Sequence, residues 1–243
     1  MRISAGPDTP DGERTDYDDF AAAYSAENES SVFNAHYERP AMLDLAGDVA
    51  GRRVLDVGCG TGPLSLALRE RGASVAGFDR SAAMVDLARR RLGDGADLRV
   101  ADLAAPLPYA DDSFDDAVAS LVLHYLEDWA GPLAELRRVL RPGGRLLVST
   151  NHPAAYPIVY PEADYFAVTR YSEDHTFDGR PVVLTFWHRP LHAMSGAFAD
   201  AGFRTLRIAE PPPALDTPAA RLPPGLPPSG RFMCFLFWVL EAR

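Results

Sequence analysis

Apolar and polar positions alternate along the chain in a rhythm that changes twice. Between residues 52 and 151, short runs rich in valine and leucine alternate with longer segments in which apolar residues recur every three or four positions. The short runs predict strands and the longer segments predict helices, at the spacing of βαβ units. Because parallel strands need helical crossovers, this region predicts a mostly parallel sheet with helices on both faces.

The pattern predicts five strands and three helices in this region. Ser81 is a typical N-cap for the second helix. Gly72 ends the first helix and Pro142 ends the third, because these residue types interrupt helical backbone. The predicted strands cover residues 52–58, 73–79, 97–102, 115–123 and 145–151, and the predicted helices cover residues 63–71, 81–92 and 131–140.

The flanking segments follow different patterns. Residues 1–15 are polar and are predicted to form a disordered tail, whereas residues 16–50 have helical spacing, with Pro40 beginning a second helix. Residues 152–188 are rich in aromatic side chains and histidines and lack helical period, which favours strands or a lid over one end of the sheet. We expect one domain, residues 16–243. Within it, residues 16–50 form a helical cover and residues 152–188 form an insert, and both lie over the substrate side.

Beyond the insert, the chain predicts a helix, a strand, a proline-rich loop and a last strand. Residues 190–203 have helical spacing, and residues 204–210 predict a strand. The final segment, residues 232–243, is apolar on both faces, which indicates a strand with neighbours on both sides. These two strands bring the predicted sheet to seven.

Composition narrows the class of partner. The chain has 243 residues, a formal net charge of −10 and no block of basic residues, so neither nucleic acid nor a membrane is expected as a partner. The longest apolar run has nine residues, whereas a spanning helix needs about 20. The two cysteines, Cys59 and Cys234, lack disulfide or metal spacing, which fits a reducing, cytoplasmic compartment. The oligomeric state is left open between a monomer and a homodimer.

A glycine-rich loop follows the first predicted strand. The stretch VLDVGCGTG places Gly58, Gly60 and Gly62 at the carboxyl end of that strand, where ligands bind in open α/β sheets. A dinucleotide site needs a glycine at the position that Pro63 occupies, and a phosphate loop needs Gly-Lys-Ser/Thr. Neither phosphate-binding pattern is complete.

Acidic residues follow the first three strands. Asp56 precedes the first glycine by two positions and suits an ammonium group better than a pyrophosphate. Asp79 ends the second strand, where a ribose diol would donate two charge-assisted hydrogen bonds. Asp102 ends the third strand and suits an adenine amino group, beside the apolar side chain of Leu103. The predicted ligand therefore carries an ammonium, a ribose and an adenine, but no phosphate.

These motifs, in this order, resemble the class I S-adenosylmethionine-dependent methyltransferases of the small-molecule type. The resemblance covers about residues 50–150 and is carried by VLDVGCGTG, GFD, ADL, SFDDAVASLVLHYLED and LRPGGRLLVS. The N-terminal YDDFAAAY and the late HRPLHAMSGAFADAGF are similar to segments of one bacterial branch of that family. The resemblance implies a Rossmann-like α/β fold whose mostly parallel, seven-stranded sheet has an antiparallel last strand. It also implies S-adenosylmethionine as the cofactor and S-adenosylhomocysteine as the product.

The resemblance also implies individual cofactor contacts. The three loop glycines border the amino-acid end of the cofactor, Asp79 holds the ribose, and Ser120 lies near the methionyl part. Tyr17 matches a family tyrosine that closes over the cofactor. The alternatives are a core position for Met84 and, for Asp56, a role in orienting the N–H groups of the loop. The full set of predicted cofactor contacts is Tyr17, Asp56, Gly58, Gly60, Gly62, Asp79, Arg80, Met84, Asp102, Leu103 and Ser120.

Four residues are candidates for the chemistry, although a general base is required only when the acceptor must lose a proton. Histidine titrates near neutral pH; His124 follows the fourth strand, His152 follows the fifth, and His188 lies at the exit of the insert. The alternative for His124 is a structural role, capping the next helix or packing under Trp129. Tyr24, near the predicted mouth, is the fourth candidate. A proline interrupts the four-residue spacing of the two late histidines, so no metal site is predicted.

The sequence predicts a methyltransferase that acts by in-line displacement on oxygen, nitrogen or carbon of a small metabolite. The many aromatic residues near the probable mouth suit an apolar or aromatic acceptor, although packing of the lid is the alternative for most of them. Two other functions stay open. One is a different use of the same cofactor, either aminocarboxypropyl transfer or cyclisation that releases methylthioadenosine. The other is a cofactor-binding protein without turnover, whereas Pro63 disfavours a nicotinamide-dependent oxidoreductase.

Overall fold

The structure, a computed structural model, describes residues 17–93, 95–227 and 229–243. The predicted disordered tail, residues 1–15, lies outside the described residues. The strands are β1 (Arg53–Val57), β2 (Ser74–Asp79), β3 (Asp97–Val100), β4 (Phe114–Ser120), β5 (Leu140–Asn151), β6 (Thr169–Phe177), β7 (Arg180–His188), β8 (Phe203–Ala209) and β9 (Phe235–Ala242). The helices are α1 (Ala21–Ser30), α2 (Arg39–Ala46), α3 (Pro63–Glu70), α4 (Ala82–Leu92), α5 (Ala130–Val139), α6 (Ala155–Val159) and α7 (Leu191–Asp200).

Seven strands form one sheet in the order β3-β2-β1-β4-β5-β9-β8. Strands β1 to β5 run parallel to their neighbours, whereas β9 is antiparallel to both β5 and β8. The predicted Rossmann-like sheet and its antiparallel last strand are confirmed. The strand order reverses between β1 and β4, which is where an open α/β sheet leaves a crevice for a ligand.

Side chains that alternate along the strands build a core on each face of the sheet. Leu55 of β1 and Trp238 of β9 pack with α5 and α7, whereas their neighbours Val54 and Phe237 pack on the opposite face with α2 and α3. All four side chains are at most 1% exposed. Because helices cover both faces, the strands read as nearly continuous apolar runs.

Strands β4 and β5 differ in their ends from the predicted strands, and the difference in β4 shapes the ligand end of the sheet. Strand β4 stops at Ser120 because Leu121 adopts a left-handed φ of 54°, and a single 3-10 turn that contains His124 follows. Strand β5 already begins at Leu140, which pairs with Phe114 beside an irregularity in the register. The early end of β4 places the turn against the ligand crevice.

A buried ion-pair network joins β1, β4 and β5 at the end of the sheet opposite the crevice. Asp116, 1% exposed, accepts hydrogen bonds from Arg145 Nε and Nη2, each at 2.8 Å, and from Arg52 Nη2 at 2.7 Å. Burial alone would raise the pKa of Asp116, but the hydrogen bonds and charges of the two arginines lower it. This network stabilises the register of the central strands without lining the crevice.

The N-terminal segment and the insert pack on each other over the carboxyl ends of the strands. The insert contributes α6 and a two-stranded hairpin of β6 and β7, in line with its lack of helical period. Phe20, from the cover, stacks on Phe177 of the hairpin with 5.5 Å between ring centroids. Aromatic side chains therefore join the cover to the insert. Among the described residues, no helix has the length and apolarity needed to span a bilayer.

Candidate active site

A cavity of about 1700 Å³ lies between the glycine loop and the layer formed by the cover and the insert. It brings together residues that are far apart in the sequence. Of the 15 residues predicted to bind cofactor or to act in catalysis, all except Gly62 line it. The lining residues of that set are Tyr17, Tyr24, Asp56, Gly58, Gly60, Asp79, Arg80, Met84, Asp102, Leu103, Ser120, His124, His152 and His188.

The three loop glycines have different surroundings. Gly58 has a φ of +63°, and a Cβ there would lie 2.6 Å from Val122 Cγ2, so the loop backbone needs glycine at this point. Gly62 has a φ of +80° and does not line the cavity. A Cβ at this position would lie 3.2 Å from Ala88 Cβ of α4. Gly62 thus sets the close packing of the loop against a helix, and Gly58 sets the shape of the cavity floor.

Asp79 connects the end of β2 to the glycine loop. Its Oδ2 accepts a hydrogen bond from the Gly60 N–H and its Oδ1 accepts one from the Ser81 N–H, both at 2.9 Å. Burial raises the pKa of the Asp79 carboxyl above its ordinary value. The carboxylate is held in a fixed orientation at the edge of the cavity, where a diol could approach it.

Asp56, the penultimate residue of β1, is buried beneath the glycine-rich loop. The Ser65 hydroxyl donates a hydrogen bond of 2.5 Å to Asp56 Oδ2. Burial raises the pKa of this carboxyl to about 7, and the charges of Glu38 and Asp79 add to the shift. At neutral pH the side chain is therefore poised between its two protonation states.

Glu38 is a site residue that the sequence-based predictions missed. It is 3% exposed, and its Oε1 accepts hydrogen bonds from the Ser120 and Ser149 hydroxyls, at 2.7 and 2.6 Å. Burial raises its pKa. Its sequence neighbours include the polar His36 and Arg39, so no local pattern distinguished it from an exposed acidic residue. Ser120, predicted to lie near the methionyl part of the cofactor, thus directs its hydroxyl to a carboxylate.

Three buried or half-buried carboxylates, Glu38, Asp56 and Asp79, therefore face one end of the cavity. Within the described ranges, no arginine side chain donates a hydrogen bond to any of them. The nearby Arg39 instead donates to Asn28 Oδ1 at 2.6 Å. The charges of Arg39 and Arg80 lower the pKa of Glu38 and Asp79 only in part, because burial still raises both. Burying a carboxylate is costly unless a cation compensates it, so this end of the cavity suits a positively charged ligand.

The opposite side of this end is apolar. Met84 and Leu103 are 2% and 5% exposed and line the cavity between β2 and β3. Asp102 is half-buried, and its Oδ1 accepts a hydrogen bond from the Ala104 N–H at 2.9 Å. Arg80 is exposed at the rim. This side offers a flat apolar slot with one carboxylate at its edge.

Three tyrosines cover the cavity from above. The hydroxyl groups of Tyr17 and Tyr125 form a hydrogen bond, and the ring of Tyr24 contacts that of Tyr17 edge-on at 5.2 Å. Tyr24 Oη accepts a hydrogen bond from Asn28 Nδ2 at 3.3 Å. Burial raises the pKa of all three phenols. They stay protonated at neutral pH and act as hydrogen-bonding groups rather than as bases.

His124 and His152 have their ring nitrogens engaged by backbone. His124 is 4% exposed, and its Nδ1 accepts a hydrogen bond from the Asn151 N–H at 3.2 Å. Burial lowers the pKa of His124 to about 3, so the ring is neutral and carries its proton on Nε2. His152 Nδ1 accepts from the Ala154 N–H at 3.1 Å, while its Nε2 lies 2.8 Å from Glu210 Oε1.

His188 lies deeper in the insert. Its Nε2 lies 2.8 Å from the Tyr165 carbonyl oxygen and therefore donates, which leaves the lone pair on Nδ1. The ring stacks on Tyr156 with 4.2 Å between centroids, and burial lowers its pKa. The histidines thus differ in the ring atom that each leaves available. In the part of the chain that the structure describes, no group of three or more His, Cys, Asp or Glu side chains has the arrangement of a metal site.

The second half of the cavity lies under the insert and is mainly aromatic. Tyr156 of α6, Tyr160 just after that helix and Tyr171 of β6 contact one another, with ring centroids 5.0 to 5.8 Å apart. Phe186 packs on Tyr171 from the neighbouring strand. One carboxylate, Glu173, lies among these rings and lines the cavity. The site therefore has an anionic end and an aromatic end.

The central part of the chain, which carries most of the anionic end, matches a known protein family. A family model described as a methyltransferase domain matches residues 55–148, from β1 into β5. The demethylmenaquinone methyltransferase of Thermus thermophilus is 36% identical over 152 residues, which are 59% of this chain and 69% of that protein. The demethylmenaquinone methyltransferase of Clavibacter sepedonicus is 38% identical over 146 residues, but the match spans only 59% of its length.

A solved structure extends the similarity over more of the chain. The S-adenosylmethionine-dependent methyltransferase of Mesorhizobium loti superposes with a TM-score of 0.64 at 28% sequence identity, covering 83% of this chain and 96% of that one. The matching family model includes Asp56 and Asp79 of the anionic end but not Glu38, and it stops before α6 and the hairpin. On these similarities and on the sheet topology, the chain belongs to the class I S-adenosylmethionine-dependent methyltransferase family.

Proposed function

We propose that this protein transfers the methyl group of S-adenosylmethionine to a small aromatic acceptor of the quinol type. The observation that carries the proposal is the group of three carboxylates, Glu38, Asp56 and Asp79, at one end of the cavity. None of them receives a hydrogen bond from an arginine side chain among the described residues. A ligand with an ammonium and a sulfonium supplies positive charge that can contact these carboxylates directly.

The residues present fit this cofactor. We infer that the fixed Asp79 carboxylate accepts hydrogen bonds from the ribose diol, and that Asp56 and Glu38 face the ammonium group. Met84 and Leu103 provide the apolar slot for the adenine, with Asp102 beside its amino group. When bound, the cofactor supplies a methyl group on a positively charged sulfur.

The aromatic end of the cavity supports an aromatic acceptor. Rings of α6 and the β6–β7 hairpin line it, and flat aromatic ligands suit such walls. The curated relatives in Thermus and Clavibacter are named for demethylmenaquinone, a quinone. We therefore propose a reduced quinone, or a hydroxylated aromatic of similar size, as the acceptor.

The protein itself positions the two reactants and excludes water from them. The cover and the insert close over the reacting groups, which excludes water from an already activated methyl donor. We propose that His124, through Nε2–H, and Tyr24, through its hydroxyl, orient ligands as hydrogen-bonding groups. His188 would do so through Nδ1, and His152, engaged on both nitrogens, holds the entrance of the insert.

We further propose that the acceptor is a small molecule met in the cytoplasm and that the active species is a monomer or a homodimer. The two cysteines, Cys59 and Cys234, are unpaired, which supports a reducing compartment.

Calorimetry with S-adenosylhomocysteine and mass spectrometry of the products test the proposal together. We expect binding in the micromolar range, as well as S-adenosylhomocysteine and a methylated product when a short-chain demethylmenaquinol is added. Asp79→Asn is expected to weaken binding by about 10- to 100-fold, because a charge-assisted pair is lost. Asp86→Asn, an exposed change on α4, is the matched control.

The two alternatives give different results. Methylthioadenosine as the product would show that the cofactor undergoes a different reaction in place of methyl transfer. Binding without any product, across quinol and phenol acceptors, would favour a non-catalytic role. Absence of binding would refute the proposal.

A further inference from the structure

Glu173 interrupts the apolar face of the insert hairpin. In the antiparallel register, Tyr171 lies opposite Phe186 and Glu173 lies opposite Leu184, so these side chains share one face. That face packs against the cover and α6 in an aromatic cluster. The Glu173 side chain is only 17% exposed. A carboxylate in such surroundings is costly unless it is used, because an apolar residue would pack there at no electrostatic cost.

Tyrosines from three parts of the chain line the cavity together with this carboxylate: Tyr125 in the turn after β4, Tyr160 just after α6, and Tyr171 on its own strand. Besides burial, the charge of Glu173 raises the pKa of all three phenols. It acts in the same direction on the Cys234 thiol, just before β9. Glu173 lines the cavity on the same hairpin face as Tyr171, whose hydroxyl accepts a hydrogen bond of 3.0 Å from Asn151 Nδ2 at the end of β5.

Two polar groups beside Glu173 lack hydrogen bonds. The Tyr160 hydroxyl and His175 Nε2 are buried atoms without a hydrogen-bond partner among the described residues. His175 Nε2 lies 3.4 Å from Glu173 Oε2, and its ring stacks parallel to Phe177. A buried hydroxyl without a partner is uncommon in a finished core, and it is the expected state of a group that a ligand completes.

We propose that Glu173 recognises the acceptor: its carboxylate accepts a hydrogen bond from a hydroxyl of a flat aromatic acceptor and takes up the proton that this acceptor loses. The Tyr160 hydroxyl donates to a second oxygen of the same molecule. An aromatic with two oxygens, one of them a hydroxyl, satisfies both groups. This inference rests on the proposed function for the reaction, but not for the binding preference.

The proton balance requires such a group. Methyl transfer breaks the carbon–sulfur bond, whose electron pair stays on sulfur, and forms a bond from carbon to the acceptor. Whether an oxygen or a ring carbon takes the methyl, a neutral hydroxylated aromatic loses one proton, whose bonding electron pair stays on the acceptor. The Glu173 carboxylate takes this proton, and the partly exposed His175 lies beside it, with Nε2 3.4 Å from Glu173 Oε2.

Binding of 1-naphthol and of naphthalene, in the presence of S-adenosylhomocysteine, tests the recognition without turnover. The wild type is expected to bind 1-naphthol about 10- to 100-fold more tightly than naphthalene, because the hydroxyl donates to a carboxylate. Glu173→Leu is expected to remove this preference. Glu173→Gln keeps a neutral acceptor atom and should retain about a fivefold preference at most. Glu162→Gln, an exposed change in the same insert, is the matched control.

Turnover of a short-chain demethylmenaquinol separates recognition from proton uptake. In Glu173→Gln we expect kcat to fall by about 100-fold, the scale of general-base catalysis, with a much smaller change in KM. The thermal midpoint and the affinity for S-adenosylhomocysteine should not fall in either variant, since neither folding nor the cofactor end uses this carboxylate.

Each outcome decides one of the two proposals. A wild type that does not prefer 1-naphthol, or a preference that survives Glu173→Leu, overturns the role of Glu173. A wild type that shows the preference but methylates no quinol contradicts the proposed function and leaves Glu173 as the acceptor-binding group. Loss of the fold in both variants would also count against the inference, because it would make Glu173 a structural residue.

Discussion

Replacing Asp56 by asparagine is expected to stabilise the ligand-free protein and to weaken cofactor binding. The Asp56 carboxyl is buried, and its pKa is raised from 3.8 to about 7. Because the folded protein holds this proton more tightly than the unfolded chain, stability falls as pH rises from about 4 through about 7. Above pH 7 the ionised carboxylate is a fixed cost to the folded state. Asparagine has no such cost and still accepts the hydrogen bond from Ser65.

The magnitude follows from the shift. A shift of one pKa unit corresponds to about 1.4 kcal/mol, so the shift of Asp56 implies about 4 kcal/mol at pH 8 and about half of that at pH 5.5. The free energy of unfolding of Asp56→Asn, measured relative to the wild type, is therefore expected to rise by about 2 kcal/mol from pH 5.5 to pH 8. Urea unfolding at several pH values measures this difference directly.

One control variant and two refuting results complete this test. Asp44→Asn changes an exposed aspartate and should show no such pH dependence. In the same Asp56 variant, the affinity for S-adenosylmethionine should fall by about tenfold or more, because the attraction to an ammonium group is lost. A difference between Asp56→Asn and wild type that stays constant with pH would refute the electrostatic reasoning. So would unchanged cofactor affinity.

Three further substitutions test separate parts of the structure. Gly58→Ala is expected to lose about 1–3 kcal/mol of stability and most cofactor affinity, since its Cβ meets Val122 at 2.6 Å; Gly60→Ala, with nothing within 4 Å, should show only the backbone cost of about 1 kcal/mol. Asp116→Asn is expected to lose about 3 kcal/mol in urea unfolding while calorimetry shows unchanged cofactor affinity; a large loss of affinity would contradict the separation of the two sheet ends. Ser81→Ala removes the N-cap that accepts the Met84 N–H at 3.0 Å and should lower the unfolding free energy by about 1 kcal/mol, whereas no loss would show that the cap is dispensable.

Part of the site was missed for a physical reason. Glu38 and Glu173 read in the sequence as ordinary acidic residues of a helix and a polar-looking strand. Nothing local distinguishes a carboxylate that faces water from one that another segment covers. Glu38 meets Ser149 only because β5 and the cover pack together, and Glu173 becomes enclosed only because the hairpin folds back onto α6 and the cover.

The sequence by itself determined the sheet and most of the anionic end of the cavity. Strand periodicity, the glycines and the acids that follow successive strands are local features, and parallel topology brings the carboxyl ends of strands together whatever the loops do. Hence Asp56, Asp79 and Asp102 could be grouped in advance. Only the tertiary structure decided the aromatic end of the cavity, because its walls come from the cover, the hairpin and the turn after β4. It also decided the atoms that each histidine leaves available, since hydrogen bonds from distant backbone, as in His124 with Asn151, set the tautomer.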